Sequence, residues 1–203
     1  HQPGATDEVP VYEPGGFVRG IWINVRAVDS AANTLATFQQ AKADGFNFAI
    51  VLAFANTLPQ VRQAAEATDM PFVPFVPEIT SILMQYAERT WFSKVDYLNR
   101  VRGILEPVLD SPLYQGLYVL DEPFGQESFN VLEKANLSVA QDGALGSPFT
   151  TYLSFTDFEA IKRARPAIGM IDVYPYNLQV GGNPTDNLLI QIPLENQKVH
   201  DFA

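Results

Sequence analysis

Gly116-Leu-Tyr-Val-Leu-Asp-Glu-Pro123 reads as a short buried strand, Leu117 to Leu120, running straight into two carboxylates and a proline that stops the ladder. In parallel α/β architectures the carboxyl ends of strands are where chemistry collects. Two adjacent acids are costly to hold together unless something uses them. This stretch therefore sets both the expected fold and the place to look for a site.

Working outward, β-rich apolar runs alternate with helix-patterned segments. The first run is Gly20-Ile-Trp-Ile-Asn-Val-Arg26, followed by a helix pattern from Ala31 to Asp44 with Leu35, Phe38 and Ala41 at helical spacing and Gly45 as its stop. Phe48 to Phe54 is the second run, and a helix around Leu58 to Ala67 follows. The third run, Phe72-Val-Pro-Phe-Val-Pro-Glu78, is expected to be short or irregular, because each proline removes a ladder donor. The longest helix pattern spans Phe92 to Leu109, with Val95, Leu98, Val101, Leu105 and Val108 on one stripe.

After the fourth run come a helix near Phe129 to Val139, a fifth run from Phe149 to Phe155, and a short helix from Asp157 to Arg165. Ile168 to Tyr174 is the sixth run and Leu188 to Pro193 the seventh. Strands alternating with helices imply a parallel sheet with right-handed crossovers. Unit spacings of roughly 20 to 40 residues suit a (β/α)8 TIM-barrel-like fold. Seven runs leave that barrel one unit short at the C-terminal side, so a truncated barrel, an open barrel and a doubly wound sheet all stay in play. Residues 1–19 read as an N-terminal extension and 20–203 as one domain.

Composition narrows the partners. Apolar residues make up 47% and charged residues 18%, a globular balance. Thirteen Lys and Arg against 23 Asp and Glu give a net charge of −10, which argues against nucleic acid and anionic membrane surfaces. No apolar run is long enough to span a bilayer. The absence of cysteine removes disulfides, thiol nucleophiles and thiolate metal sites. The polar start His1-Gln2-Pro3-Gly4-Ala5 lacks an initiating Met and reads as a processed terminus, so a secreted, extracellular protein is expected.

Strand ends offer Glu78, Asp121, Glu122, Asp172, Tyr174 and Glu195. Because neighbours on a strand point to opposite faces, Asp121 and Glu122 are not expected to face the same way. These residues carry a resemblance. The chain is similar to the TIM-barrel glycoside hydrolases that act with retention, in which an Asn-Glu-Pro-like motif ends strand four and a Glu, often followed by Asn, ends strand seven. Here Asp121-Glu122-Pro123 ends the fourth run and Leu194-Glu195-Asn196 follows the seventh. Ala41 to Asn47 resembles the junction into strand two of such barrels, and Asp172-Val-Tyr-Pro-Tyr176 a strand-six end. The chain departs from the pattern in having Asp121 for the usual Asn, and only 73 residues separate Glu122 from Glu195.

The resemblance implies that Glu122 is the general acid/base and Glu195 the nucleophile, with Asp172 as an alternative second acid. Cleavage needs one protonated carboxyl to protonate the leaving oxygen and one ionised carboxyl to attack or to activate water. Asp121, Tyr174, Trp22, Arg26, Glu78 and Tyr176 would then surround the sugar, with further rings from Tyr118, Tyr152, Phe54 and Phe124. Each has a plainer reading. Glu122 caps the next helix or pairs with Arg26, Glu195 is an exposed loop residue, Asp172 pairs with Arg19 or Arg26, and Glu78 is solvated in a Pro-Glu loop. Arg26 partners inward carboxylates of the barrel or clamps substrate.

The two histidines, His1 and His200, are both near the ends, which disfavours a Ser-His-Asp triad and a His-rich metal site. No dinucleotide fingerprint or P-loop occurs, and Lys42, Lys94, Lys134 and Lys162 fall on helix patterns, against a Schiff-base lysine. No cofactor is expected. The expectation is a secreted glycoside hydrolase-like protein acting on a carbohydrate. The alternative is a non-catalytic carbohydrate-binding or structural protein on the same scaffold, a homo-oligomer that buries the edge of an incomplete barrel.

Overall fold

Six of the apolar runs form strands, and helices fill most of the intervals between them. The computed structural model describes residues 18–88, 93–121, 132–135, 138–139, 142–152 and 168–171, with the backbone alone at 87–88, 147–152 and 168–171. In chain order the elements are β1 (Gly20–Asn24), α1 (Ala31–Ala43), β2 (Phe48–Leu52), a 3-10 turn (Ala55–Thr57) leading into α2 (Leu58–Thr68), β3 (Phe72–Phe75), α3 (Pro77–Glu88), α4 (Lys94–Leu109), β4 (Gly116–Leu120), β5 (Ser147–Tyr152) and β6 (Ile168–Ile171). Residues 132–135 and 138–139 are helical. The seventh run and the helix expected at 157–165 lie outside the described residues.

All pairings are parallel and the spatial order is β1-β2-β3-β4-β5-β6, the order of the chain itself. The two sides of the sheet are built differently. On one side Ile23, Val25, Ala49, Val51, Phe72, Leu117 and Val119 pack under residues from every described helix, from Phe38 of α1 to Val139. On the other, Phe48, Ile50, Val73 and Tyr118 cluster with Phe75, all of them strand residues. Among the described residues the helices therefore cover one side only. A doubly wound sheet would carry helices on both and reverse its strand order at a switch point.

Local chemistry explains the joins. Ser30 caps α1 by accepting from the Asn33 amide at 3.2 Å, and Ser93 caps α4 by accepting from the Asp96 amide at 3.1 Å. At the end of α1 the Gly45 amide bonds to the Lys42 carbonyl and the Phe46 amide to the Ala41 carbonyl, a Schellman closure with Gly45 at φ 88°. The chain then turns straight into β2. At the start of β5, Gly146 (φ 68°) allows the closest backbone approach, since a Cβ there would lie 2.9 Å from the Gly116 Cα.

One feature departs from the sequence reading. Pro77 and Glu78, read as the end of the third run with Glu78 either near the sugar or solvated in a Pro-Glu loop, instead open α3: Pro77 stands at its first position, where a missing amide costs nothing. The proline-bearing third strand is as short as expected. β3 joins β4 through Phe75↔Tyr118 and an isolated bridge, Phe72↔Tyr114.

Candidate functional site

The parallel sheet delivers the ends of β1 to β4, and the loops after them, to one edge. At β4 the sequence alternation fails by one residue. Tyr118 pairs with Phe149 but Leu120 pairs with Thr150, so a bulge falls between them. As a result Val119 and Leu120 both pack toward the helices. Asp121 is brought to the side of Tyr118, whose phenol donates to Asp121 Oδ1 at 2.8 Å. Bulges re-aim side chains in this way at strand ends. Asp121 is exposed, so one carboxylate oxygen is fixed by the phenol while the residue faces solvent.

Beneath that carboxylate lies an aromatic floor. Trp22 meets Tyr118 edge to face at 5.6 Å and Phe75 at 6.0 Å, while Phe75 and Tyr118 are 5.2 Å apart. Tyr118 is 1% exposed and Trp22 43%, so the indole covers the phenol and leaves nearly half of its own surface open. Phe75, not singled out in the sequence, completes the group. Its signal was available: Val73 and Phe75 alternate on β3 as Trp22 and Asn24 do on β1.

Glu78 sits in the first turn of α3, half-buried. Its Oε1 accepts from the Ala55 amide at 3.1 Å, bracing the turn after β2. Its Oε2 is buried and has no hydrogen-bond partner among the described residues. An acceptor left in that state carries a desolvation cost. Glu78 thus ties two strand-end loops together and is not free in a solvated loop.

Arg26 finds its carboxylate partner within its own loop. Its side chain is 72% exposed, and its guanidinium binds Asp29 three residues on, through Nε at 3.1 Å and a second nitrogen at 2.8 Å. The Arg26 amide also donates to Asp29 Oδ2 at 2.8 Å. The hydrogen bonds from Arg26 hold the Asp29 carboxyl below its ordinary value, and the carboxylate in turn raises the guanidinium. The pair is local because Asp29 lies in the loop after β1. Arg26 is paired within that loop and, among the described residues, reaches no carboxylate of another strand.

Glu122, Glu195, Asp172, Tyr174 and Tyr176 lie outside the described residues. The structure therefore brings together Trp22, Phe75, Tyr118 and Asp121, with Glu78 and the Arg26–Asp29 loop at the same edge of the sheet. Among the described residues no three His, Cys, Asp or Glu side chains are grouped as a metal site. No described helix is long and apolar enough to cross a membrane. Comparison with protein-family models, curated proteins and solved structures gives no match to this chain.

Proposed function

We propose that this chain is a secreted carbohydrate-active protein of the glycoside hydrolase kind on a β/α-barrel scaffold. Glu122 would serve as general acid/base, and Glu195 or Asp172 as the second carboxyl. The observation that carries the reading is the Tyr118–Asp121 hydrogen bond at 2.8 Å. It orients a carboxylate over an aromatic floor immediately before Glu122, and apolar rings beside oriented polar groups match a sugar's apolar face and hydroxyl rim. The barrel reading draws support from the strictly sequential parallel order and from helices on one side only. A parallel sheet needs both faces covered, and curling on itself covers the helix-free face.

On this reading a Glu122 carboxyl gives its proton to the leaving glycosidic oxygen while the second carboxylate attacks the anomeric carbon or activates water. A separation near 5 to 5.5 Å would retain configuration, and about 6.5 to 9.5 Å would invert it. One observation favours the non-catalytic reading. Of the described candidate acids, Glu78 stands in the first turn of α3 with one oxygen taken by the Ala55 amide, which gives it a bracing role.

The test is hydrolysis of a panel of aryl glycosides and plant and bacterial polysaccharides by the full chain and by Glu122→Gln. Turnover lost in the variant is the expected result. A folded wild-type chain that turns over none of the panel removes the hydrolase reading and leaves a binding protein.

A further inference from the structure

We infer that the cleft between the end of β1 and the first turns of α1 is a subsite for a neutral sugar unit; the inference rests on the carbohydrate reading above. The cleft has a volume of about 360 Å³, lined by Asn24, Arg26, Asp29, Asn33 and Thr37 among others. That lies at the lower end of the range for small-molecule sites, roughly 300–1,000 Å³.

Its chemistry selects the ligand. The formal charges on its wall, Arg26 and Asp29, neutralise each other at 2.8 Å, so the cleft offers no uncompensated charge to an ion. A chain of net charge −10 further disfavours an anionic guest. What remains are two primary amides. Asn24 and Asn33 make no side-chain hydrogen bond within the described residues beyond the backbone bonds of their own elements, and both are exposed. An amide presents an acceptor and two donors on one rigid plane. Adjacent hydroxyls, each both donor and acceptor, are its complement.

The walls are already built. Asp29 and Arg26 close their loop by backbone and side-chain bonds, Gln60 Nε2 donates to the Asp29 carbonyl at 3.2 Å, and Asn56 Nδ2 donates to the Ala27 carbonyl at 3.4 Å. Ser30 fixes the start of α1. A site held in this way loses little entropy on binding. Asn24 also follows Trp22 by two residues on the same side of β1. A sugar chain seated on Asn24 therefore extends toward the exposed part of the indole.

The experiment is titration calorimetry of the full chain with cellotriose, xylotriose, mannotriose and trigalacturonate, repeated for Asn24→Ala and Asn33→Ala. Circular dichroism serves as the folding control, and an aryl glycoside assay is run in parallel. At least one neutral trisaccharide should bind at least tenfold more tightly than trigalacturonate. Each amide variant should weaken that binding about tenfold, the worth of one to two hydrogen bonds.

Absence of binding by all three neutral probes, preference for trigalacturonate, or binding unchanged within twofold in both variants overturns the inference. The two proposals fail separately. Hydrolysis together with amide-independent binding removes the subsite and keeps the enzyme. Amide-dependent binding without hydrolysis removes the enzyme and keeps the subsite.

Discussion

Trp22 on β1 and Tyr118 on β4 meet edge to face at 5.6 Å, although β2 and β3 lie between their strands. Neighbouring strands are about 4.8 Å apart, so three steps across a flat sheet would set these backbones roughly 14 Å apart. The two rings close that gap by reaching toward each other on the helix-free side, over β2 and β3. The contact joins the packing of the sheet to the site, since the same phenol orients Asp121.

Trp22→Ala should therefore act on both. It removes two edge contacts worth roughly 0.5–1.5 kcal/mol each beyond area burial, so a loss of about 2 kcal/mol in chemical denaturation is expected. Tyr118, now 1% exposed, should become open to solvent, which quenching of tyrosine emission would report. Unchanged stability would mean that the floor is held by the backbone alone.

The parts of this fold that were legible in sequence are those marked by periodicity and punctuation. Of the stripe read in α4, Leu98, Val101, Leu105 and Val108 are buried while Val95, in the first turn, is exposed, and Gly45 ends α1 as a left-handed residue must. α3 was hidden because Pro77 follows a strand that already carries Pro74, and proline signals a helix start as readily as a loop. The bulge at the end of β4 leaves no trace in a period of two, so the side on which Asp121 falls was not readable. Asn24 and Asn33 were overlooked for a different reason: uncharged amides brought together across a turn have no signature in composition or spacing. Tyr118 beneath Trp22 is a contact across two intervening strands, which depends on the packing of several strands at once.

Among the described residues, α1 is followed by a left-handed glycine, Gly45, but α2 by a left-handed aspartate. Asp69 ends α2 at φ 49° and ψ 54°, where an L side chain is strained. Asp69→Gly should stabilise the protein by about 0.5–1 kcal/mol, the relief of strain less the glycine's extra unfolded-state entropy. The hydrogen bond from Lys42 Nζ goes to the Asp69 carbonyl at 2.7 Å and survives the change. A rise of about 1–4 °C in melting temperature is the expected reading; a fall would mean that the carboxylate does more than occupy the corner.

Acid should loosen two specific ties. Arg26 holds Asp29 below its ordinary 3.8, and Arg62 with the Ser111 hydroxyl holds Glu66 below its ordinary 4.5. Both carboxylates are more acidic folded than unfolded, so their contribution is complete above the unfolded values. It fades as pH falls below about 4.5 and through the folded values. In Glu66→Gln, stability at pH 7 should be lower and its further decline between pH 5 and 3 shallower than in the wild type. Parallel curves of denaturation midpoint against pH would remove Glu66 from this linkage.

Two tyrosines packed in or against the core should respond in opposite directions to the same substitution. Tyr114 donates to the Leu145 carbonyl at 2.8 Å and packs edge to face on Phe72 at 6.2 Å, tying the approach to β4 to the approach to β5. Tyr97 stacks on Tyr86 at 4.7 Å, but its hydroxyl is buried without a partner among the described residues. Burial pushes both phenols upward, so both stay protonated through the neutral range. Tyr114→Phe loses a bond and strands a carbonyl, at a cost of about 1–2 kcal/mol. Tyr97→Phe removes a buried hydroxyl that returns nothing for its lost hydration, so it should be neutral or stabilising by up to about 1 kcal/mol. Denaturant midpoints of the two variants, read against the wild type, check the pair. A destabilised Tyr97→Phe would show that the hydroxyl is bonded in solution, to a water or to a residue beyond those described.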